Sequence, residues 1–423
     1  MIQKPRGTKD IFGLDAKIYQ LIFDSFESLA RTYNIKKIIT PTFESFELFK
    51  GSNGESSDIV TKEIYKFKDY NDRLLALKPE GTASVGRAII ENNLYSNSTY
   101  NKLFYIDSMY RYEKPQKGRL RQFYQIGVEF TNNLSDNAII DVIVLASSLL
   151  NKLNINDYVL NINSIGTKEE RQLYIEELKK YFIKHQDQLS EISQKRISIN
   201  PLRILDDKND SQLDIVKKAP QICDYWSNET KEQFDKILKV LDSLKISYQV
   251  NYSLVRGLDY YSNIVFEFIS TSNLLGSKVT IIGGGCYYDL IENDSNIKIN
   301  GVGFGIGVER LFEIIKYDQK YQFLADQINV NFLLENEEQI EQIRPLIYQL
   351  RANDIIVEYN YQFKKFKKLL SDAQKLNSQL IIFQELSQHH TNQWTIKTQA
   401  NNNIIVNFNI LYEKIKSILL KGE

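Results

Sequence analysis

From Leu14 to Tyr33 the apolar residues Ile18, Leu21, Ile22, Phe26 and Leu29 recur three and four positions apart, the spacing that gathers side chains on one face of a helix. Between residues 36 and 110 the period changes, and the short apolar runs KKIITP, RLLALKP and KLFYIDSMY alternate with polar turns and predict strands. Asp136 then opens a long apolar stretch to about Leu153, which predicts a helix capped by Asp136. From Lys168 to about Leu244 the pattern is mostly helical and rich in Lys and Glu, after which strand-like runs return at SYQVNYSLV, NIVFEFIS and KVTIIG. The helical block therefore reads as an insertion into a β-rich domain. Past about Gln322, INVNFLL, DIIVEY, LIIF, WTIK and IIVNF predict strands, with helices predicted near 337–352, 364–376 and 409–420. That alternation predicts a separate α/β domain of about 100 residues.

Composition agrees with this division and removes several classes of function. A chain of 423 residues exceeds what one core organises and suggests two or three domains. With 43% hydrophobic and 25% charged residues it has a globular make-up. No apolar run approaches the ~18 residues of a membrane span. The start, MIQKPRGTKDIFG, has neither an apolar signal core nor a transit-peptide composition, so a cytoplasmic protein with no membrane partner is expected. Two cysteines, Cys223 and Cys286, cannot build a disulfide framework or a Cys-rich zinc site. Three histidines, His185, His389 and His390, argue against a multi-histidine centre, and no protein-held metal is expected. The formal net charge is zero, so a nucleic-acid partner would have to be held by local patches.

One such patch is RYEKPQKGRLRQFYQIGVE, from Arg111 to Glu129. Its first eleven residues hold Arg111, Lys114, Lys117, Arg119 and Arg121 against Glu113 alone. LFYIDSMYRY and RLRQFYQIGVEF read as strands joined by the basic loop EKPQKG. In the second, Tyr124, Ile126, Val128 and Phe130 share one face and Gln125, Gly127 and Glu129 the other. The apolar face suits a core. The polar face is costly to bury unless it lines a ligand cleft, with Gly127 leaving room for the ligand at the backbone. A solvated surface hairpin is the competing reading.

Three further stretches bear on chemistry. In NGVGFGIGVERLFEII, Gly301, Gly303, Gly305 and Gly307 alternate with Val302, Phe304, Ile306 and Val308, so one strand face is bare backbone on which a flat ring could lie, with Arg310 beside it for an anion. It is neither the dinucleotide fingerprint, since Ile306 and Val308 occupy the required glycine positions, nor a P-loop. In LVRGLDYYSNIVFEF a guanidinium, Arg256, precedes paired phenols, Tyr260 and Tyr261, which suits an anion plus a small planar polar group; taken alone, a turn leading into a strand is the better reading. LKPEGTASVGRAI places Glu80, Gly81 and Thr82 at a strand-to-helix junction, where a helix cap is the plain alternative. KKFKK at 364–368 is a solvated helix face or a phosphate contact.

Together these stretches resemble the class II aminoacyl-tRNA synthetases, and within them the histidyl-tRNA synthetase family. PRGTKDIF is similar to the family's start, and Pro41 falls where the class has its dimer-interface proline. LKPEGT resembles the loop for the substrate amino group, YRYEKPQKGRLRQFYQIGVE the second class motif and GVGFGIGVERL the third. NPLRILDDK lies where the family carries its helical insertion, and LVRGLDYY is the stretch most particular to histidyl enzymes. The resemblance implies an α+β fold: a class II catalytic domain on a mostly antiparallel sheet over 1–322, a helical insertion at about 168–244, and an α/β anticodon-binding domain at 325–423.

It also implies a histidine–tRNA ligase whose partners are L-histidine, ATP with its Mg2+, and tRNA(His), working as a homodimer. By position, Arg111 would hold the α-phosphate and the amino-acid carboxylate, and Arg256 the α-phosphate during transfer, which makes these two the catalytic cations. Glu113, Arg119 and Arg310 would contact the ATP base or distal phosphates. Glu80, Thr82 and Gln125 would orient the α-amino group, and Gly81 would belong to the same histidine site. Glu129, Tyr261 and Tyr287 would read the imidazole, with Tyr260 lining the pocket, and Lys114, Gln116 and Lys117 would meet the tRNA end. The chain departs from the family pattern at Cys286, where Arg is usual, at Tyr288, where Asp is usual, at Lys114 in place of Arg, and at Tyr124 in place of His. Two non-catalytic alternatives share the fold: the regulatory subunit of ATP phosphoribosyltransferase and a tRNA-binding sensor with an inactive site.

Overall fold

The computed structural model describes every residue except 1, 54–56, 58, 97–100, 133, 208, 256–259, 276–278, 292–297, 319–320, 322–326, 386–387, 389–390 and 422–423. The chain divides into two compact units, Met1–Phe323 and Leu324–Glu423.

The first unit is built on an eight-stranded sheet. Its strands are β1 (Lys36–Lys37), β2 (Lys102–Tyr110), β3 (Gln122–Thr131), β4 (Tyr158–Ser164), β5 (Tyr248–Val250), β6 (Tyr261–Ser270), β7 (Val279–Tyr287) and β8 (Gly301–Gly307). They lie in the order β1-β2-β3-β8-β7-β6-β4-β5. The inner pairings are antiparallel, and only the edge pairs β1–β2 and β4–β5 are parallel.

Alternation along β3 sorts its side chains as the pattern requires. Ile126, Val128 and Phe130 are buried, and Tyr124 packs edge-on against Tyr19, 5.8 Å between ring centroids. That face is covered by the helices Gly13–Thr32, Asp136–Lys152 and Val308–Ile315, whose residues Ile18, Ile22, Phe26, Ile139, Ile143, Leu311 and Phe312 are nearly inaccessible to solvent. The opposite face meets the helix Thr82–Glu91 through Val85 and Ile89, which pack with Leu103 and Tyr105 of β2 and Tyr287 of β7. A three-stranded sheet of Phe43–Ser45, Leu74–Leu77 and Lys66–Lys68 flanks this region.

The cap of the helix Asp136–Lys152 differs from expectation. Ser135 is the capping residue, and its hydroxyl accepts from the Ala138 amide. Asp136 begins the helix itself, where its negative charge is favourable beside the positive end of the helix dipole. Its carboxylate is taken by Gln233 and Lys236, each at 2.7 Å, from the helix Asn228–Ser243.

Residues 168–243 form the helical block, starting with Lys168–Lys184 and ending with Asn228–Ser243. It has its own small core, including Tyr174, Leu178, Phe182, Ile204 and Ile222. Glu170 joins the starts of both long helices. It closes the capping box with Thr167 and also accepts from the Ser227 amide and the Thr230 hydroxyl.

The second unit holds a five-stranded sheet in the order Val357–Tyr359, Val330–Phe332, Leu380–Phe383, Gln393–Thr398, Asn403–Asn407. Its first three strands are parallel and its last two pairings antiparallel. Leu380 and Ile382 point into a core with the helices Glu337–Arg351 and Leu411–Lys421, while Ile381 and Phe383 meet Leu369 and Ala373 of the helix Phe366–Lys375 on the other face. Among the basic residues at 364–368, Lys364 and Lys368 both pair with Asp372 across the exposed face of that helix.

Candidate active site

Glycines meet across three strands of the large sheet. Gly127 of β3 pairs with Gly305 of β8, which pairs with Gly283 of β7. On the same face β3 presents Gln125 and Glu129. A cleft opens over this strip as two adjoining cavities of about 150 and 410 Å³, and both are lined by Arg111, Glu113, Arg119, Gln125, Gly283, Gly305 and Arg310.

One end of the cleft is cationic. Arg310 stands in the first turn of the helix Val308–Ile315 and donates to the Thr280 carbonyl. Burial, and then the neighbouring guanidinium groups of Arg119 and Arg111, push its pKa down to about 10. It stays charged at neutral pH, but three crowded guanidiniums in a partly dry site favour any ligand that brings negative charge. Arg111 is held by the Pro79 carbonyl at 2.8 Å and lies over the Phe123 ring. Glu113 is the local counter-ion, 3.3 Å from Arg119 and 4.0 Å from Arg111.

The other cations of the opening stretch serve different ends. Arg121 stacks on Tyr112 at 3.9 Å and packs against Gly7, whose carbonyl accepts from the Arg121 amide; this fastens the PRGTKD segment to the hairpin. Lys117 is 3.7 Å from Glu313. Lys114 and Gln116 are exposed on the loop.

The opposite end is lined by Glu80, Thr82, Tyr105, Tyr260 and Tyr261. Behind it, 1% exposed, lies Glu129. Its oxygens accept from the Thr82 hydroxyl at 2.8 Å and the Tyr287 hydroxyl at 2.9 Å. Burial pushes its pKa up to about 8, against the opposing pull of these two hydrogen bonds. Burial also raises Glu80, although the Ala83 and Thr82 amides, 3.1 and 2.7 Å away, favour its charge. Tyr260 packs on Tyr261, with centroids 4.8 Å apart, and edge-on to Tyr287 at 6.0 Å.

Two details differ from the sequence reading. Gly127 does not leave its gap for a ligand, because the Tyr105 ring occupies it. The glycines of β8 are not one bare strip. A Cβ on Gly301 would meet the Tyr287 hydroxyl at 2.6 Å and one on Gly303 the Glu129 carboxylate at 2.4 Å, so those two make room for the protein's own side chains. Gly305 and Gly307 are the ones that border the cleft. Glu80 does cap the helix Thr82–Glu91, the plainer of its two readings, while also facing the cleft. Arg256 lies outside the described residues.

A family model described as histidyl-tRNA synthetase matches residues 7–311. The histidine–tRNA ligase of Malacoplasma penetrans is 42% identical over 421 residues, 98% of either chain. The chain belongs to the histidyl-tRNA synthetase family. The histidine–tRNA ligase of Ureaplasma parvum serovar 3 is 44% identical over 381 residues, 90% of this chain and 91% of that one. Among solved structures, apo histidyl-tRNA synthetase of S. aureus superposes with a TM-score of 0.81 at 29% identity, covering 98% of this chain and all of that one.

The departures from the histidyl-tRNA synthetase pattern fall away from the cleft. Cys286 is fully buried, and burial pushes its thiol up to about 12, so it is an inert core residue. Tyr288 is half exposed and is absent from the cleft lining. Tyr124 faces the helical layer, where its amide donates to Glu309 Oε1 at 2.9 Å. Sequence reasoning overlooked Tyr105, Phe123 and Glu309. Glu309 is buried between Tyr19 and the Tyr124 backbone and is pushed by burial up to about 7; it ties the helix carrying Arg310 to the strand carrying Gln125. Its signal was its place beside Arg310 in GVERL.

Proposed function

We propose that the cationic end of the cleft holds the phosphates of ATP and the carboxyl–tyrosine end holds histidine, so that the protein makes histidyl-adenylate and passes histidine to the 3′ end of tRNA(His). The observation that carries this reading is that both ends share one cleft, with Arg111 lining it throughout. Activation brings a carboxylate oxygen onto the α-phosphorus as the bond to pyrophosphate breaks. The two reactants are both anions, and fixed cations in a site poor in water address orientation and charge together.

Arg111 is assigned to the α-phosphate and the substrate carboxylate, Arg119, Glu113 and Arg310 to the remainder of ATP, and Arg256 to the α-phosphate during transfer. Glu80, Thr82 and Gln125 are assigned to the α-amino group, and Gly81 to the same histidine site. The imidazole is assigned to the wall made by Tyr260 and Tyr261, backed by Glu129 and Tyr287. Imidazole offers a donor and an acceptor, which a carboxyl group and phenols can both answer. ATP is taken as its magnesium complex. Glu113 and Glu267 are carboxylates near Arg310, and the ion is assigned to the phosphates and water.

The second unit is assigned to the anticodon, and Lys114, Gln116 and Lys117 to the acceptor end. A homodimer is assigned through the surface around Pro41. There Ile39 and Phe43 are 79% and 53% exposed, and Phe43 meets Phe67 ring to ring at 6.3 Å. Apolar side chains grouped in this way suit a protein partner. The test is charging: labelled histidine, ATP and total tRNA should yield histidine esterified to tRNA with release of AMP. Absence of transfer by folded protein would refute the proposal.

A further inference from the structure

Tyr105, a buried tyrosine of β2, lines the amino-acid end of the cleft. Its ring lies over glycines from two different elements. A Cβ on Gly127 would stand 2.0 Å from Tyr105 Cζ, and one on Gly81 2.2 Å. No side chain fits at either position while the ring is there. The Tyr105 hydroxyl then donates to Gln125 Oε1 at 3.1 Å. The nitrogen end of the same amide lies at Gly305, where a Cβ would meet Nε2 at 2.8 Å.

A glutamine amide is nearly symmetric in shape and presents oxygen or nitrogen according to its partners. An ammonium group only donates, so a glutamine that receives one must offer its oxygen. We propose that Tyr105 is a positioning residue for amino-acid binding: its hydroxyl holds the Gln125 amide with the oxygen set to accept from the substrate's α-ammonium group. Oε1 has two lone pairs and serves both donors. Burial, followed by the fields of Glu129 and Glu80, keeps the Tyr105 phenol protonated, so it remains a donor. The proposal rests on the assignment of Gln125 to the α-amino group made above.

The ring fills its space with or without the hydroxyl, so Tyr105→Phe separates positioning from packing. Calorimetric titration of the full chain compares histidine with imidazolepropionate, which has hydrogen in place of the α-amino group. Tyr105→Phe is expected to weaken histidine by about tenfold, the scale of one charge-assisted hydrogen bond, and to leave imidazolepropionate unchanged. Equal weakening of both ligands would mean that Tyr105 acts on pocket shape, and no weakening of either would mean that it does nothing for binding; both results overturn the proposal. Gln125→Leu tests the premise. If it weakens both ligands alike, the Gln125 assignment fails and the proposal falls with it. If it weakens histidine selectively while Tyr105→Phe does not, only the role of Tyr105 is refuted.

Discussion

Replacing Glu129 by Gln should make the first unit more stable at every pH above about 4.5, by a margin that widens until about pH 8. Glu129 is sealed behind the cleft, and burial raises its pKa from 4.5 to about 8. The sign follows from proton counting. As pH rises through 4.5 the unfolded chain releases this proton while the folded protein keeps it. Stability therefore falls by about 1.4 kcal/mol per pH unit from this group. The loss is complete above the folded pKa, where both states are ionised, and amounts to about 5 kcal/mol. Glutamine has the same shape and can still satisfy the Thr82 and Tyr287 hydroxyls, but it has no proton to lose. Glu309, raised by burial to about 7, adds a slope of the same sign to both proteins and cancels in their difference. Urea unfolding of both proteins, at pH values spaced between 4.5 and about 8, measures that difference. It should start near zero and grow to several kcal/mol in favour of Glu129→Gln. A difference that stays flat across the range would show that Glu129 ionises cheaply, and the picture of a dry back wall would be wrong.

Arg310→Gln should raise the KM for ATP by on the order of 100-fold and leave that for histidine little changed, and steady-state exchange kinetics with each substrate varied would expose an equal loss for both. Gly303→Ala puts a Cβ 2.1 Å from the Val128 carbonyl, so it should unfold or strongly destabilise the sheet. By contrast, Gly51→Ala, in the helix Phe46–Asn53 with nothing within 4 Å, should raise stability by about 0.5–1 kcal/mol in thermal melts; similar effects at the two sites would contradict the close packing read from β8. Removing residues 324–423 should spare adenylate formation and impair charging of tRNA, and charging at the full rate would refute an anticodon role for the second unit.

Much of the site could be read along the chain, because alternation is a local property. Gln125 and Glu129 had to share a face of β3, and the four glycines of β8 had to share another. Which residues lie across from them is not local. β2 and β3 are joined by residues 111–121, too long a connection for a tight turn to set the register, so nothing in KLFYIDSMY placed Tyr105 opposite Gly127. The five cations of the hairpin were alike in sequence. Their division between cleft, Gly7, Glu313 and solvent depends on partners up to about two hundred residues away. The cap at 135–136 was misread for a related reason: Ser and Asp both favour that position, and the choice follows from Gln233 and Lys236, which draw the Asp136 carboxylate away.

ATP–pyrophosphate exchange, run with each amino acid in turn and no tRNA, tests the assignment of this cleft most directly. The account predicts exchange with histidine alone. Exchange driven by a different amino acid, or none with any by folded protein that binds histidine, would contradict it.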